Sequence, residues 1–169
     1  MTTEAKKELI IERVINAPRS LVWKTFTEAE HLQHWWGPVG LKLEVLKLDL
    51  RNGGMFHYAM KAANGSAMYG RFDYIKIQAP EKIVFTNSFS DEQGNHTRAP
   101  FGSDWPIKVL NTWTFDEKNG KTILKLRGEP FEATEAEIKR FVQEFPNMNK
   151  GFGATFDQLD TYLSKLVSQ

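Results

Sequence analysis

Residues 15–38 read INAPRSLVWKTFTEAEHLQHWWGP. Asn16-Ala17-Pro18 closes a strand and places a proline in the first turn of a helix, where its missing N–H is no loss. Val22, Trp23 and Phe26 stand at helical spacing, and Thr27-Glu28-Ala29-Glu30 has the form of a capping box that opens a second short helix. In that helix Leu32, Trp35 and Trp36 fall at i, i+3 and i+4, one apolar stripe, and Gly37 followed by Pro38 supplies the stop. Both tryptophans are expected to point inward. Trp35 should anchor the core and Trp36, last before the stop, should stand at the mouth of a cavity.

Outward from this stretch the pattern changes twice. Upstream, ELIIERVI (8–15) is rich in β-branched residues and reads as a strand. Downstream, from residue 41 to about 129, the period becomes two, with breaks at Asn52-Gly53-Gly54, Asn64-Gly65, Ala79-Pro80, the 90–106 region and Asn119-Gly120. This predicts six strands in a meander. Leu41, Leu43 and Val45 share one parity while Leu46, Leu48 and Leu50 share the other, which calls for a bulge or for cover on both faces. SDEQGNHTRAPFGSDWP (90–106) is longer and more polar than a hairpin needs, yet carries Phe101 and Trp105, and is expected to be a mobile flap. Thr134-Glu-Ala-Glu137 is a further capping box, followed by the stripe Ile138, Phe141, Val142 and Phe145. A last helix of roughly 20 residues carries Met148, Phe152, Phe156, Leu159, Leu163 and Leu166. Gly151 and Gly153 lie inside it at a cost of roughly 1 kcal/mol each relative to alanine, which implies close packing or a bend.

Composition narrows the function. The chain has 169 residues, 41% hydrophobic and 25% charged, with a net charge of +1, so one globular domain over 1–169 is expected and nothing favours nucleic acid or a membrane surface as partner. There is no cysteine, which excludes disulfides, thiolate metal sites and a cysteine nucleophile, and suits the cytoplasm. No signal-peptide core or apolar span is present. Nucleophile elbow, phosphate loop, dinucleotide fingerprint and His-Glu-x-x-His are all missing.

The strings at 15–38, GGMFHYAM (53–60), YGRFDYI (69–75), KIVFTNSF (82–89) and GFGATFDQLDTYL (151–163), in this order of elements, resemble the SRPBCC superfamily of START and polyketide-cyclase-like proteins. Within it the chain looks like the branch named for homologues of the activator of the ninety-kilodalton heat-shock chaperone ATPase. The resemblance implies an α+β helix-grip fold: a curved antiparallel sheet of about seven strands wrapped around a long C-terminal helix, with two short N-terminal helices. It also implies an apolar cavity between sheet and helix, and a setting in the stress response. The chain departs from the pattern at Tyr74, where an acidic residue is common, and in the length of the 90–106 segment.

Strand parity then gives a candidate site. Phe56, Tyr58 and Met60 share one face, as do Phe72 and Tyr74, Phe85 and Asn87, and Asn111 and Trp113. With Trp36, Met148, Phe152 and Phe156 they form an apolar, largely aromatic wall with a few hydrogen-bonding groups, the composition of a small-molecule pocket. The same residues would serve equally well as core filling, and the resemblance favours a cavity. Asn87 and Asn111 matter most, because an inward amide needs a partner. Phe101 and Trp105 of the flap would close over a ligand. The leading expectation is a protein that binds a hydrophobic small molecule, aromatic or lipid-like, as monomer or homodimer. A cyclase or dehydratase using the same cavity is second, because the inward set lacks His, Asp and Glu. A co-chaperone, implied by the family name, is third. No cofactor, metal or catalytic residue is expected. His31 and His34 stand three apart without a third ligand, His57 is expected to be exposed, and Arg71/Asp73 and Glu44/Arg51 read as solvated surface pairs.

Overall fold

The computed structural model describes residues 8–167. In chain order the elements are β1 (Leu9–Ile15), α1 (Arg19–Thr27), α2 (Ala29–Trp35), β2 (Lys42–Leu48), β3 (Met55–Lys61), β4 (Ala67–Gln78), β5 (Lys82–Ser90), β6 (His96–Thr97), β7 (Lys108–Lys118), β8 (Lys121–Phe131), α3 (Glu135–Gln143) and α4 (Phe145–Val167). The strands form one antiparallel sheet in the order β1-β8-β7-β5-β4-β3-β2, with β6 pairing β5 alone. The meander supplies six of its seven long strands, β1 is the seventh, and the eighth strand is the two-residue β6 inside the 90–106 segment.

Two bulges curve the sheet. In β2 the pairing passes from Val45↔Tyr58 to Lys47↔His57, so Leu46 is an extra residue, 41% exposed, and Leu48 returns to the core side. This is the parity switch that the leucines announce. In β4 the pairing passes from Tyr74↔Phe85 to Lys76↔Val84, which expels Ile75 and brings Ile77 back inward. The concave face thus formed takes α4, 23 residues and about 35 Å long. Phe156, Leu159 and Leu163 of α4 are buried among Phe56, Phe72, Phe85, Trp113 and Phe115. Phe72 stacks on Phe85 with ring centroids 4.2 Å apart, and Trp113 meets Phe85 edge-on at 4.8 Å. At the sheet edge Arg13 ties β1 to α4 through Asp157 (2.7 Å) and Asp160 (2.6 Å).

The short helices differ from expectation in one respect. Thr27 does not cap α2: its hydroxyl donates back to the Trp23 carbonyl at 2.7 Å, closing α1, and Glu28 stands at the N-cap without a side-chain bond. A threonine at the end of one helix can satisfy that helix as easily as start the next. The box at Thr134 does form, with Thr134 accepting from Glu137 N and the Glu137 carboxylate accepting from Thr134 N. That carboxylate is held below the usual glutamate range by the Thr134 amide and by Arg98. Among the described residues no helix is long and apolar enough to cross a membrane.

Candidate functional site

Trp35 and Trp36 part at the end of α2. Trp35 is the last helical residue, 2% exposed, and its indole N–H donates to Thr25 O at 2.8 Å. Trp36 is the C-cap with extended backbone (φ −72°, ψ 138°), and Gly37 follows at φ 104°, a conformation that only glycine adopts readily. The direction of Trp36 is therefore set by the stop and not by an i+4 position. Its ring meets Phe72 at 5.5 Å, Trp113 at 5.7 Å and Tyr58 at 6.5 Å. From α4, Thr155 and Gln158 donate to Gly37 O at 3.2 and 2.9 Å, which fixes the loop against the long helix.

Between this loop, β3 and the first turns of α4 lies a pocket of about 230 Å³, lined by Trp36, Gly37, Pro38, Tyr58, Met60, Met148, Gly151, Phe152 and Thr155. Tyr58 is 5% exposed and its ring lies across Gly70, where a Cβ would stand 2.6 Å from the hydroxyl oxygen. Burial pushes the Tyr58 phenol up to about 12, against a smaller opposing pull from the Trp36 indole N–H. Among the described residues that N–H completes no hydrogen bond, and the indole N–H of Trp113 is likewise buried without a partner.

A second, smaller chamber of about 80 Å³ adjoins it, lined by Leu9, Asn87, Trp105, Val109, Asn111, Leu126, Gly128, Phe141, Met148 and Phe152. Met148 and Phe152 belong to both spaces. Here the two expected asparagines meet: Asn111 Nδ2 donates to Asn87 Oδ1 at 2.6 Å and to Val109 O at 3.1 Å.

The inward set thus divides. Trp36, Tyr58, Met60, Met148 and Phe152 line the pocket, and Asn87 and Asn111 the chamber. Phe56, Phe72, Tyr74, Phe85, Trp113 and Phe156, 0–5% exposed, fill the core instead. Parity finds a face but not the depth at which neighbouring side chains close over it. In the 90–106 segment, Trp105 packs on Phe141 with centroids 5.4 Å apart while Phe101 is 53% exposed. The segment is fastened to α3 by Arg98–Glu137 and by Arg140–Asp104 at 2.9 Å. Gly37, Pro38 and Thr155 escape sequence reasoning. The signal was present for Gly151, a glycine inside a helix with no packing reason: a Cβ there, or at Gly153, meets nothing within 4 Å, so close packing is not what keeps either residue.

The outer face of the sheet also differs from expectation. His57 is buried, 6% exposed, with Nε2 3.2 Å from Asp91 O, because the 91–95 turn folds over it. Arg71 pairs with Asp73 and donates to Gly94 O at 2.6 Å, so this pair is half-buried under the same turn. Glu44 and Arg51 lie on the solvated surface as expected, Glu44 paired with Lys61 and Arg51 with Asp49. His96 stands 2.6 Å from Ser88 Oγ and 3.5 Å from Asp73, its imidazole held below the usual range by burial and by Arg71. His31 and His34 both turn to Tyr162, one by a 2.6 Å contact from Nδ1 to the hydroxyl and the other by stacking at 5.0 Å.

Residues 16–164 match the family model for the activator of Hsp90 ATPase homolog 1-like protein. The chain belongs to that family. Among solved structures, protein Ms6760 from Mycobacterium smegmatis is 26% identical, with 92% of this chain and 90% of that one covered and a TM-score of 0.74. A protein from Arthrobacter aurescens is 23% identical over 94% and 86% of the two chains, TM-score 0.77. The AHSA1-like protein of Aeromonas hydrophila is 16% identical over 96% and 95%, TM-score 0.67. No curated protein matches the chain. This family member therefore has the α+β helix-grip fold, with its pocket at the junction of the α2 stop, the sheet and α4.

Proposed function

We propose that the chain is a cytosolic binding protein for a compact apolar ligand, aromatic or lipid-like, held between Trp36, Met60 and the first turns of α4. The observation that carries this reading is the pocket itself. Small-molecule sites are concave and mostly apolar, with a few placed polar groups. Here about 230 Å³ remains beside a dense aromatic core, walled by half-buried Trp36, Met60, Met148 and Phe152. The size is below that of drug-sized sites, which favours one ring or a short chain. Methionines suit such a wall, because an unbranched thioether can re-pack around ligands of different shape. The hydroxyls that line the pocket belong to Tyr58 and Thr155. Tyr58 stays neutral far above physiological pH, and a threonine hydroxyl does not ionise, so the lining favours binding over acid–base chemistry.

Titration of the isotope-labelled protein with propylbenzene, read by amide, indole and methyl NMR, tests this. Shifts should concentrate on Trp36, Met60, Met148 and Phe152, and native mass spectra of freshly purified protein should show a co-purifying small molecule. Saturable shifts confined to other surfaces would overturn the assignment.

A further inference from the structure

We propose that the chamber behind Met148 and Phe152 is a head-group subsite for a neutral carboxamide or lactam. This rests on the binding reading above: the ligand's apolar body would occupy the larger pocket and its head would meet Asn87 and Asn111.

The asparagine pair leads to this chemistry. The Asn111 amide nitrogen lies between two carbonyl oxygens, those of Asn87 and Val109, which fixes its orientation. That arrangement leaves Asn111 Oδ1 as an acceptor and Asn87 Nδ2 as a donor, neither with a partner among the described residues. Neither atom is among the fully buried polar atoms that lack a partner, so both stay accessible to a ligand head that can pair them. The rest of the lining is apolar side chains and Gly128, with no charged residue. A carboxylate or ammonium there would be desolvated without a counter-charge, so an ionic head is disfavoured. A primary amide or lactam offers what the pair lacks, an N–H and a C=O side by side, the N–H to Asn111 Oδ1 and the C=O to Asn87 Nδ2. At about 80 Å³ the chamber suits a head group and no more. Met148 and Phe152 stand between the two spaces, and re-packing of the unbranched Met148 thioether would let one ligand span them.

Three probes with one body decide the matter: 3-phenylpropanamide, 3-phenylpropanoate at pH 7 and propylbenzene, each titrated by calorimetry and by NMR of the asparagine side-chain amides. The amide should bind about tenfold more tightly than either of the others, the worth of two net hydrogen bonds. It alone should move the Asn87 and Asn111 amide resonances, and Asn87→Leu should erase its advantage while propylbenzene affinity stays. Equal affinities for all three, a preference for the carboxylate, or unmoved asparagine resonances would overturn the subsite and leave the apolar pocket standing. Failure of propylbenzene as well as the amide to bind would remove the binding reading and the subsite together. The wild-type resonances carry the test even if Asn87→Leu does not fold.

Discussion

Replacing Gly151 by alanine should stabilise the protein and weaken its binding of a small hydrocarbon. Gly151 lies well inside α4, and a Cβ built there meets nothing within 4 Å. The substitution therefore carries no steric penalty, and what remains is helix propensity, about 0.8–1.0 kcal/mol in favour of alanine. In a chain of this size that corresponds to a rise in Tm of about 2–4 °C. Gly151 also lines the pocket, so its added methyl takes up binding space, and Gly151→Leu takes up more. Gly153→Ala is the control, because the same propensity gain applies there and Gly153 is not part of the lining. Urea denaturation with an unchanged m-value would measure the stability terms, and propylbenzene calorimetry the binding. The expected pattern is a gain in stability for both alanine variants, with affinity lost stepwise from Gly151→Ala to Gly151→Leu and kept in Gly153→Ala. Destabilisation by Gly151→Ala, or undiminished binding by Gly151→Leu, would refute the reasoning that this glycine is kept for the pocket.

Two further outcomes follow from the geometry. Trp35→Ala should cost about 3–5 kcal/mol, since it empties a fully buried site and strands the Thr25 carbonyl, while half-buried Trp36→Ala should cost less than half as much and abolish binding; equal losses in chemical denaturation would make both simply core. His96 is held below the ordinary histidine value by burial and Arg71, so the unfolded chain takes up its proton first as pH falls. Stability should be level above about 6.5 and decline as pH drops through that value toward the folded pKa, and His96→Gln should flatten the decline; an identical pH profile in the variant would contradict it.

What the sequence reveals follows from what each signal depends on. Leucines whose parity switches between Val45 and Leu46 call for a bulge or for cover on both faces, and the structure chooses the bulge, with Leu46 as the extra residue and Leu43 and Leu48 on the same core. The Thr134 box was legible for the same reason, being local and complete within four residues. The Thr27 box was not, because two helices compete for one hydroxyl and the sequence does not say which wins. His57 looked exposed because its parity is outward, yet the turn that buries it lies at Asp91, 34 residues on. Solvation of an outer face depends on what other segments fold across it, and no period encodes that.

The candidate site was half legible for a related reason, and α4 shows where the division falls. Its apolar stripe runs without change of spacing from Met148 to Leu166, so the pattern treats every member alike. Along the C-terminal part Phe156, Leu159 and Leu163 are 0–3% exposed and belong to the buried core. Along the N-terminal part the stripe has Met148, Gly151 and Phe152, facing Tyr58, Met60 and Trp36, and Gly151 contributes no side chain to fill the gap. The boundary between core and pocket is thus set by volume, summed across elements distant in sequence, and not by polarity. Volume is what a hydrophobic pattern discards. A glycine within an amphipathic helix is where it leaves a trace, because the helix forgoes about 1 kcal/mol to keep it. When a Cβ added at such a glycine would meet no neighbour, the wall of a cavity is the first place to look.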